Sequence, residues 1–390
     1  MIYRAPNTDP TILPSCYASE DAQVANFLIL GGAGFIGSHL CKRLVRHNHR
    51  VTVIDSLLGQ VHGAQPQDLP ESQVKLICAD CSGTEWINET ITDTYFDCIV
   101  SLAAETGSTQ SGYMAQQYVR TNVESLALIN DLLINSFAEF SQIRKCGKSL
   151  RIPSQPTAAI LKTRRVLLAS SRAVYGEAKL DSDGSPIASQ ENDEPRPTSI
   201  YGATKLAQEL LLATGFHGIE TCSLRLQNVY GDGQSLSNPY TGVASVFAAL
   251  ALSGKDLHVF GNGHNSRDFI YVEDVIDVFY HLMTADTITT PILNVGTGIR
   301  TSIYELAQLI VTQSKSGSKI RVHSDHIVGD ISHNFADVSL LRKVGFEAYT
   351  ALEDGITRLL AWASTQSLGD AENYLKTALG AYSARGLLKG

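Results

Sequence analysis

Short apolar runs rich in β-branched residues alternate with helix-favouring stretches through the first two-thirds of the chain. The apolar runs predict strands at residues 27–30, 50–55, 74–77, 97–102 and 165–170. Helical patterns follow at 37–46, 121–134 and 201–214. This alternation predicts an α/β fold with a Rossmann-type, doubly wound parallel sheet. Such sheets bind ligands at the carboxyl ends of their strands.

A glycine-rich segment follows the first predicted strand and opens the first predicted helix. It reads GGAGFIG from Gly31 to Gly37 and includes Gly34. Glycines at this spacing allow a tight turn and let the N–H groups of a helix N-terminus approach a pyrophosphate. Asp55 ends the second predicted strand, where a carboxylate accepts hydrogen bonds from both ribose hydroxyls and repels a 2′-phosphate. The pattern predicts NAD, rather than NADP, as the cofactor.

A tyrosine and a lysine lie on one face of a predicted helix, in the sequence YGATK. Tyr201 and Lys205 are four residues apart, so their side chains are neighbours. A nearby ammonium group lowers the pKa of a phenol, which makes it a better base near neutral pH. Ser171 directly follows the fifth predicted strand, where its hydroxyl can bond a substrate oxygen. Together with the dinucleotide pattern, these residues predict an acid–base site.

Composition excludes several other classes of function. The 31 basic and 39 acidic residues give a net charge of −8, which disfavours broad binding to nucleic acid or to an anionic membrane. No apolar run reaches the roughly 18 residues of a membrane-spanning helix, and the first residues lack a signal-peptide pattern, so we expect a cytoplasmic protein. The seven cysteines are expected to be reduced thiols. The pair Cys78 and Cys81, and the His- and Asp-rich stretch 323–333, are not expected to bind a metal.

The ordered motifs of the chain resemble the NAD-dependent sugar-nucleotide epimerase/dehydratase family of the extended short-chain dehydrogenases/reductases. Within it, they are most similar to the 4-epimerases of deoxysugar nucleotides of the dTDP-L-rhamnose type. The resemblance runs from about residue 26 to about residue 363. It rests on GGAGFIGSH from Gly31, Asp55, SLAAETG from Ser101, TNV from Thr121, SSRAVYGE from Ser170, YGATK from Tyr201, RLQNVYG from Arg225 and RDFIYVEDV from Arg267.

The resemblance assigns roles to individual residues. It implies that Ser171, Tyr201 and Lys205 are catalytic. The residues implied to bind the cofactor are Gly31, Gly34, Phe35, Ile36, Gly37, Asp55, Asp80, Cys81, Leu102, Ala103, Ala104, Asn122, Ser170, Tyr201 and Lys205. Those implied to bind a nucleotide-sugar substrate are Glu105, Thr106, Ser171, Arg172, Asn228 and Arg267.

The resemblance also implies a domain organisation. An N-terminal extension, 1–25, precedes an NAD-binding domain at 26–226 and 267–298, which contains an inserted loop at 135–164. A smaller interleaved C-terminal substrate lobe follows at 227–266 and 299–363, with a tail at 364–390. A homodimer is expected through the helices at 121–134 and 201–214.

The residues after Ser171 favour epimerisation over dehydration. Dehydratases of this family carry Asp-Glu there, because they need an acid and a base at the sugar, and this chain has Arg172 and Ala173 instead. Glu105 is a carboxylate that could partly substitute. Relatives also carry arginines where this chain has Ile327 and Ser332. We therefore expect the diphosphate to be bound more weakly here, or to be bound by Arg172 or Arg300 instead.

We therefore expect inversion of C4 of a hexose or deoxyhexose nucleotide through a transient 4-keto intermediate. The alternatives are an NAD(P)-dependent keto-sugar-nucleotide reductase or dehydrogenase, and a 4,6-dehydratase. A non-enzymatic dinucleotide sensor is least favoured, because Tyr201 and Lys205 are both present.

Overall fold

The computed structural model describes residues 24–62, 69–70, 72–90, 95–135, 161–238, 240 and 242–389. In these ranges the strands are β1 (Asn26–Leu30), β2 (Arg50–Asp55), β3 (Val74–Cys78), β4 (Tyr95–Ser101), β5 (Lys162–Ser171), β6 (Glu220–Leu226), β7 (Asn228–Tyr230), β8 (Leu257–Val259), β9 (Ser266–Arg267), β10 (Phe269–Tyr271), β11 (Ile292–Val295), β12 (Thr301–Ser302), β13 (Ile320–Val322), β14 (His326–Ile327), β15 (His333–Asn334) and β16 (Leu388–Lys389). The α-helices are α1 (Phe35–Arg46), α2 (Gly59–His62), α3 (Ile87–Thr90), α4 (Ser108–Ser111), α5 (Ala115–Tyr118), α6 (Ser125–Ile134), α7 (Ile200–Gly215), α8 (Val243–Leu252), α9 (Val272–Thr284), α10 (Ile303–Ser314), α11 (Ser339–Lys343), α12 (Leu352–Ala363) and α13 (Ala371–Ser383).

A seven-stranded sheet with the order β11-β6-β5-β4-β1-β2-β3 forms the centre of the fold. All of its neighbouring strands pair in parallel, which confirms the predicted doubly wound sheet. From β1, the strands β2 and β3 are added on one side of the sheet, and β4, β5 and β6 on the other. The order of the strands therefore reverses between β1 and β4, and this switch point opens a crevice at the carboxyl ends of both strands. The two glycine- and alanine-rich segments that follow β1 and β4 therefore lie side by side.

Helices bury apolar faces on both sides of the sheet. On one side, α1 packs against α9, and their buried residues, which include Leu40 and Phe279, join a core that continues into the smaller lobe. On the other side, α6 and α7 contribute Ile129 and Leu212 to a second core. The predicted helix at 121–134 begins as a π-helical segment, Val119–Glu124, and continues as α6.

One predicted segment boundary changes in the structure. The inserted loop was expected to reach residue 164, but β5 already begins at Lys162, because residues 162–168 pair with β4. The remainder of that loop, 136–160, and most of the N-terminal extension, 1–23, lie outside the described residues.

The smaller lobe is built from short strands and the helices α8, α10 and α12. It includes the pairs β8–β13 and β14–β16 and the three-stranded sheet β12-β9-β15. The segment 364–390 was expected to be a tail, and in the structure it carries α13 and β16, which pack against this lobe. Its apolar residues recur at helical spacing, so the helix has one face to bury. Within the described ranges, no helix has the length and apolar character needed to span a membrane.

Candidate active site

Glycine is required at specific positions of the turn after β1 and of the helix that follows it. Gly31 has φ of +76°, and a Cβ there would lie 2.6 Å from the backbone nitrogen of Ala103. A Cβ on Gly37 would lie 2.5 Å from the carbonyl oxygen of Gly31, so the first turn of α1 packs directly on the preceding loop. The lack of side chains leaves the backbone open at the N-terminus of α1, as a pyrophosphate requires. This cradle fits a dinucleotide.

Two acidic residues stand beside the cradle. Asp55, at the end of β2, is buried and accepts hydrogen bonds from the backbone N–H of Ala33 at 3.0 Å and of Leu57 at 2.9 Å. These bonds fix its carboxylate where the sheet meets the cavity. Asp80, after β3, forms an ion pair with Arg120 at 3.0 Å and is more exposed. Both carboxylates line the same cavity as the glycine cradle.

The thiol of Cys81 is part of the packing beneath the dinucleotide site. It donates to the carbonyl of Ile54 at 3.5 Å, and burial raises its pKa far above the usual range. Cys78 is exposed. Among the residues that the structure describes, no group of three or more His, Cys, Asp or Glu side chains could hold a metal ion.

Tyr201, Lys205 and Ser171 come together where β5 ends and α7 begins. The ammonium of Lys205 donates to the carbonyl of Ala169 at 2.8 Å. Burial lowers the pKa of Lys205 to about 7, and the nearby carboxylate of Glu209 opposes this shift. All three side chains line one cavity.

Burial changes the expected electrostatics of the tyrosine. We expected Lys205 to lower the pKa of Tyr201. In the structure, burial raises the pKa of Tyr201, and the groups that oppose the rise are the hydroxyl of Ser171 and the guanidinium of Arg172. The expectation was wrong because the desolvation of the buried phenolate exceeds the effect of the groups that stabilise it, and Lys205 is not among those groups.

A buried ion pair behind Lys205 was missed by the sequence analysis. Arg225, on β6, donates to Glu209 at 2.8 Å, and both side chains are at most 5% exposed. Glu209 also accepts a hydrogen bond from Ser170. This pair holds the end of β5 against α7, and thereby fixes Ser171 relative to Lys205. Glu209 is four residues after Lys205, a spacing that could have drawn attention to it.

Asn122 lies one layer behind the cavity rather than in it. It was predicted to contact the cofactor, but it does not line the cavity. Its side chain is fully buried in the π-helical segment, where it accepts a hydrogen bond from the backbone N–H of Glu105 at 2.8 Å and donates to Thr204 at 2.9 Å. Asn122 therefore ties the loop after β4 to α7. The side chain of Glu105 accepts a hydrogen bond from Gln117 at 2.6 Å.

A single cavity of about 1060 Å³ contains the other predicted site residues. It runs from the glycine cradle past Tyr201 into the smaller lobe. The predicted residues that line it are Gly31, Gly34, Phe35, Ile36, Gly37, Asp55, Asp80, Cys81, Leu102, Ala103, Ala104, Glu105, Thr106, Ser170, Ser171, Arg172, Tyr201, Lys205, Asn228 and Arg267.

The lobe end of this cavity contains two guanidinium groups. Arg267 is paired with Asp330 at 2.7 Å. Arg172 is different: its Nη1 is buried and has no hydrogen-bond partner among the described residues, and the same is true of Oδ1 of Asn228. Burial and the proximity of Arg267 lower the pKa of Arg172 to about 9. Arg300 is exposed and is not among the residues lining the cavity.

These unpaired atoms point to a polar ligand. A buried donor or acceptor without a partner destabilises the protein, by about 1–3 kcal/mol and by more when it is charged. Arg172 and Asn228 border the cavity, so a ligand that carries an anionic oxygen beside a hydrogen-bond donor would satisfy both. The arrangement can therefore hold a dinucleotide at one end and an anionic substrate at the other, with Tyr201 between them.

Comparisons with known proteins agree with this arrangement. The profile of the NAD dependent epimerase/dehydratase family matches residues 27–296. A dTDP-L-rhamnose 4-epimerase from Burkholderia thailandensis is 32% identical over 369 residues, covering 87% of this chain and 95% of that protein. A UDP-N-acetyl-alpha-D-glucosaminuronate decarboxylase from Bacillus cytotoxicus is 29% identical, covering 86% and 96%. The structure of MoeE5 in complex with UDP-glucose and NAD is similar with a TM-score of 0.66 and 26% identity, covering 87% of this chain and 98% of that one.

Proposed function

The chain belongs to the NAD-dependent epimerase/dehydratase family, and from this premise we propose that it inverts C4 of a nucleotide-activated hexose or deoxyhexose through a transient 4-keto intermediate. The observation that carries the proposal is the content of the cavity. Tyr201 lies with Ser171 and Lys205 between a dinucleotide cradle and an anion-binding end, and no Asp-Glu pair follows Ser171. The similarity to a 4-epimerase supports the same choice.

Tyr201 is the acid–base group of the proposed reaction. Tyr201 acts as the phenolate: its oxygen takes the proton from the C4 hydroxyl of the sugar, and the phenol so formed later returns that proton to the oxygen of the keto group. When bound, NAD supplies hydride transfer at its nicotinamide ring. Ser171 donates to the same substrate oxygen and also lowers the pKa of Tyr201, against the effect of burial. The cycle ends with the protons on the groups that first held them, so it needs no further acid.

The residue after Ser171 separates this proposal from dehydration. A dehydratase has to protonate a leaving hydroxyl and to remove a carbon-bound proton, which takes two titratable groups at the sugar. Neither residue after Ser171 supplies such a group: Arg172 remains protonated near neutral pH, and Ala173 has no titratable side chain. Glu105 also lines the cavity, but one carboxylate supplies a single titratable group where dehydration takes two. Inversion at C4 requires that the keto sugar turn over before hydride returns to its C4, so that the opposite face is reduced, and a cavity of about 1060 Å³ is compatible with this movement.

Arg172, Asn228 and Arg267 are proposed to hold the diphosphate of the substrate. A guanidinium binds phosphate oxygens through a fixed fork of donors. Arg172 would here replace the arginines that relatives carry where this chain has Ile327 and Ser332. Arg172 is the group expected to gain most from a bound anion, because Arg267 already has Asp330 as its partner.

We further propose a homodimer through α6, with its π-helical start, and α7. These elements expose apolar side chains, with Val119, Ile134 and Leu210 between 44% and 58% exposed. The test is light scattering on the purified protein and on Leu210→Glu. A monomeric wild-type protein at micromolar concentration would contradict the assembly.

The reaction is tested with a panel of dTDP-, UDP-, GDP- and CDP-sugars, followed by product analysis without added NADH. The proposal expects one substrate to be converted into its 4-epimer of equal mass. A product lighter by one water would show a dehydratase, and an absolute need for stoichiometric NADH would show a reductase. In the matched variant Tyr201→Phe the ring is kept, so NAD content should be normal while turnover falls by about 10²–10⁴-fold. Full turnover by Tyr201→Phe would refute the chemistry.

A further inference from the structure

The helix α13 forms part of the wall of the substrate cavity. Its residues Leu375, Ala378, Leu379 and Tyr382 line the cavity together with Tyr201 and Arg267. These four positions of α13 are spaced three, four and seven residues apart, so they form one face of the helix. The opposite face is exposed and includes Gly380, around which a Cβ would find no heavy atom within 4 Å. The helix thus has a cavity face and a solvent face.

Contacts at both ends of α13 fix it across the cleft. At its start, Glu372 forms an ion pair with Lys255 of the smaller lobe at 2.9 Å. At its end, the ring of Tyr382 lies 6.2 Å from that of Tyr240, and its hydroxyl interacts with Thr109 of α4. The helix therefore contacts the lobe at one end and the loop region after β4, on the NAD-binding side, at the other.

The chain after α13 is also attached to the smaller lobe. β16 pairs with β14, and the carbonyl of Leu387 accepts a hydrogen bond from the backbone N–H of Val328 at 2.8 Å. Arg385 lies over the ring of Tyr113, with its guanidinium carbon 4.4 Å from the ring centre. β14 contains Ile327, which itself lines the cavity. The attachment therefore places α13 beside the part of the lobe that borders the ligand.

A set of flat rings lies at the same end of the cavity. The ring nitrogens Nδ1 of His258 and Nε2 of His323 lie 2.9 Å apart, so these two rings are hydrogen-bonded edge to edge, and the ring of Phe260 lies against His323 with ring centres 4.9 Å apart and planes inclined by 19°. His258 and Phe260 line the cavity. The two points at which the lobe holds the C-terminal segment, Lys255 and Ile327, are three and four residues from His258 and His323. The rings of His258 and Phe260 and the inner face of α13 thus border the same cavity, and a planar base packs well against aromatic surfaces.

We propose that α13 is the outer wall of the subsite for the nucleoside part of the substrate, and that its inner face controls affinity for that nucleoside. This inference rests on the proposed function, because a nucleoside is bound only if the substrate is a nucleotide sugar. With the sugar at Tyr201 and the diphosphate at Arg267, the nucleoside occupies the remaining part of the cavity, between α13 and the rings of His258 and Phe260. The C-terminal segment is then a component of the substrate site, and affinity for NAD does not depend on it.

The test measures binding of UDP, dTDP, GDP and CDP to the NAD-loaded enzyme by calorimetry. Ala378→Leu adds a side chain to the cavity face and should weaken the tightest of the four by about tenfold or more, with NAD content unchanged. Leu379→Ala trims the same face and should weaken it by about threefold to tenfold. Gly380→Ala is the matched control on the solvent face and should bind like the wild-type protein.

The outcomes separate this inference from the proposed function. Normal affinity in both Ala378→Leu and Leu379→Ala would overturn the role of α13. Hydrogen exchange gives a second readout, because backbone amides of 371–389 should exchange more slowly when the tightest nucleotide is added; an unchanged rate would also contradict the role. If no nucleotide binds to the wild-type protein, the proposed function fails and this inference fails with it. If nucleotides bind but no sugar is epimerised, only the proposed reaction fails.

Discussion

The two ends of the cavity are built in different ways. The NAD end is formed mainly by backbone, with Gly31 and Gly37 packed so closely that any side chain would collide with neighbouring main chain. The substrate end is formed by side chains from separate parts of the chain, such as Arg172, Arg267 and Tyr382. One end therefore depends on the absence of atoms at fixed positions, and the other depends on charges and rings brought together by the fold.

This difference determines what each end tolerates. A site formed by backbone atoms accepts one ligand shape. A single methyl group added at Gly31 or Gly37 would collide with neighbouring main chain and weaken binding of that ligand. A site made of side chains can change its ligand through individual substitutions without losing the fold, because each side chain contributes separately. We therefore expect variants at the two ends to affect different ligands, and the following predictions test this separation in order of decreasing effect.

The largest effect on stability is expected at the buried ion pair of Glu209 and Arg225, which holds together elements that line both ends of the cavity. Glu209→Gln leaves the guanidinium of Arg225 buried without a charged partner and should lower the free energy of unfolding by about 3 kcal/mol. It also removes the carboxylate that opposes the fall in the pKa of Lys205. Urea unfolding measures the first effect. Glu194→Gln, at an exposed ion pair, is the control and should leave the urea midpoint nearly unchanged. Equal stability of the two variants would contradict a supporting role for the buried pair.

Gly37→Ala should break the NAD end alone. The added Cβ would lie 2.5 Å from the carbonyl oxygen of Gly31, so the turn has to shift, at a cost of about 2–3 kcal/mol or roughly 100-fold in NAD affinity. NAD titration measures this, and nucleoside diphosphate binding should be nearly unchanged. Gly59→Ala is the control, because no heavy atom lies within 4 Å of its added Cβ. Normal NAD affinity in Gly37→Ala would show that the cradle is not the NAD site.

Arg172→Met should weaken the substrate end without weakening the fold. Loss of a charge-assisted hydrogen bond, worth about 1.5 kcal/mol, should raise KM for the nucleotide sugar about tenfold. Stability should stay the same or rise, because the variant removes a buried group that has no hydrogen-bond partner for Nη1 within the described part of the chain. NAD affinity should not change. Arg300→Met, at an exposed position, is the control, and a larger effect there than at Arg172 would reverse the assignment.

The smallest effect concerns pH and the contact between α1 and the loop after β7. Burial pulls the pKa of His39 down, but its bonds to Glu273, at 2.6 Å, and to the carbonyl of Asp232, at 2.9 Å, more than offset this and raise it. A raised pKa means that the stabilisation is complete below about pH 6.5, and that it is lost as pH rises through the pKa of the folded state. The urea midpoint of the wild-type protein should exceed that of His39→Asn more at pH 6 than at pH 9. His217→Asn, at an exposed histidine, should show no such difference. A gap that grows with pH would contradict the assigned shift.

The sequence predicted the parts of the molecule that depend on local patterns. The runs that became β1, β2 and β4 are apolar because they are buried on both faces, and the glycine pattern after β1 reflects a local steric need. Cofactor identity followed from the same region, and the family's NAD dependence agrees with it.

Other features depend on distances that a sequence does not contain. The raised pKa of Tyr201 comes from burial, which is known only when the fold is complete. Arg225 is sixteen residues from Glu209, and Arg267 is 63 from Asp330, so neither pair follows from spacing alone. The segment that became α13 was interpreted as a tail, because its apolar face has meaning only beside the cavity that it covers.

The position of α13 has a consequence for the rate of turnover. A helix anchored to both sides of a cleft must release at least one side before a bound product can leave, and in many enzymes such a release step limits kcat. The ion pair between Lys255 and Glu372 is exposed, whereas the ring of Tyr382 is buried, so the ion pair is the weaker of these two side-chain contacts of α13. Exposed ion pairs are screened by salt. If release of this ion pair limits the cycle, the enzyme will turn over faster as ionic strength rises, up to the concentration at which the diphosphate itself begins to bind less tightly.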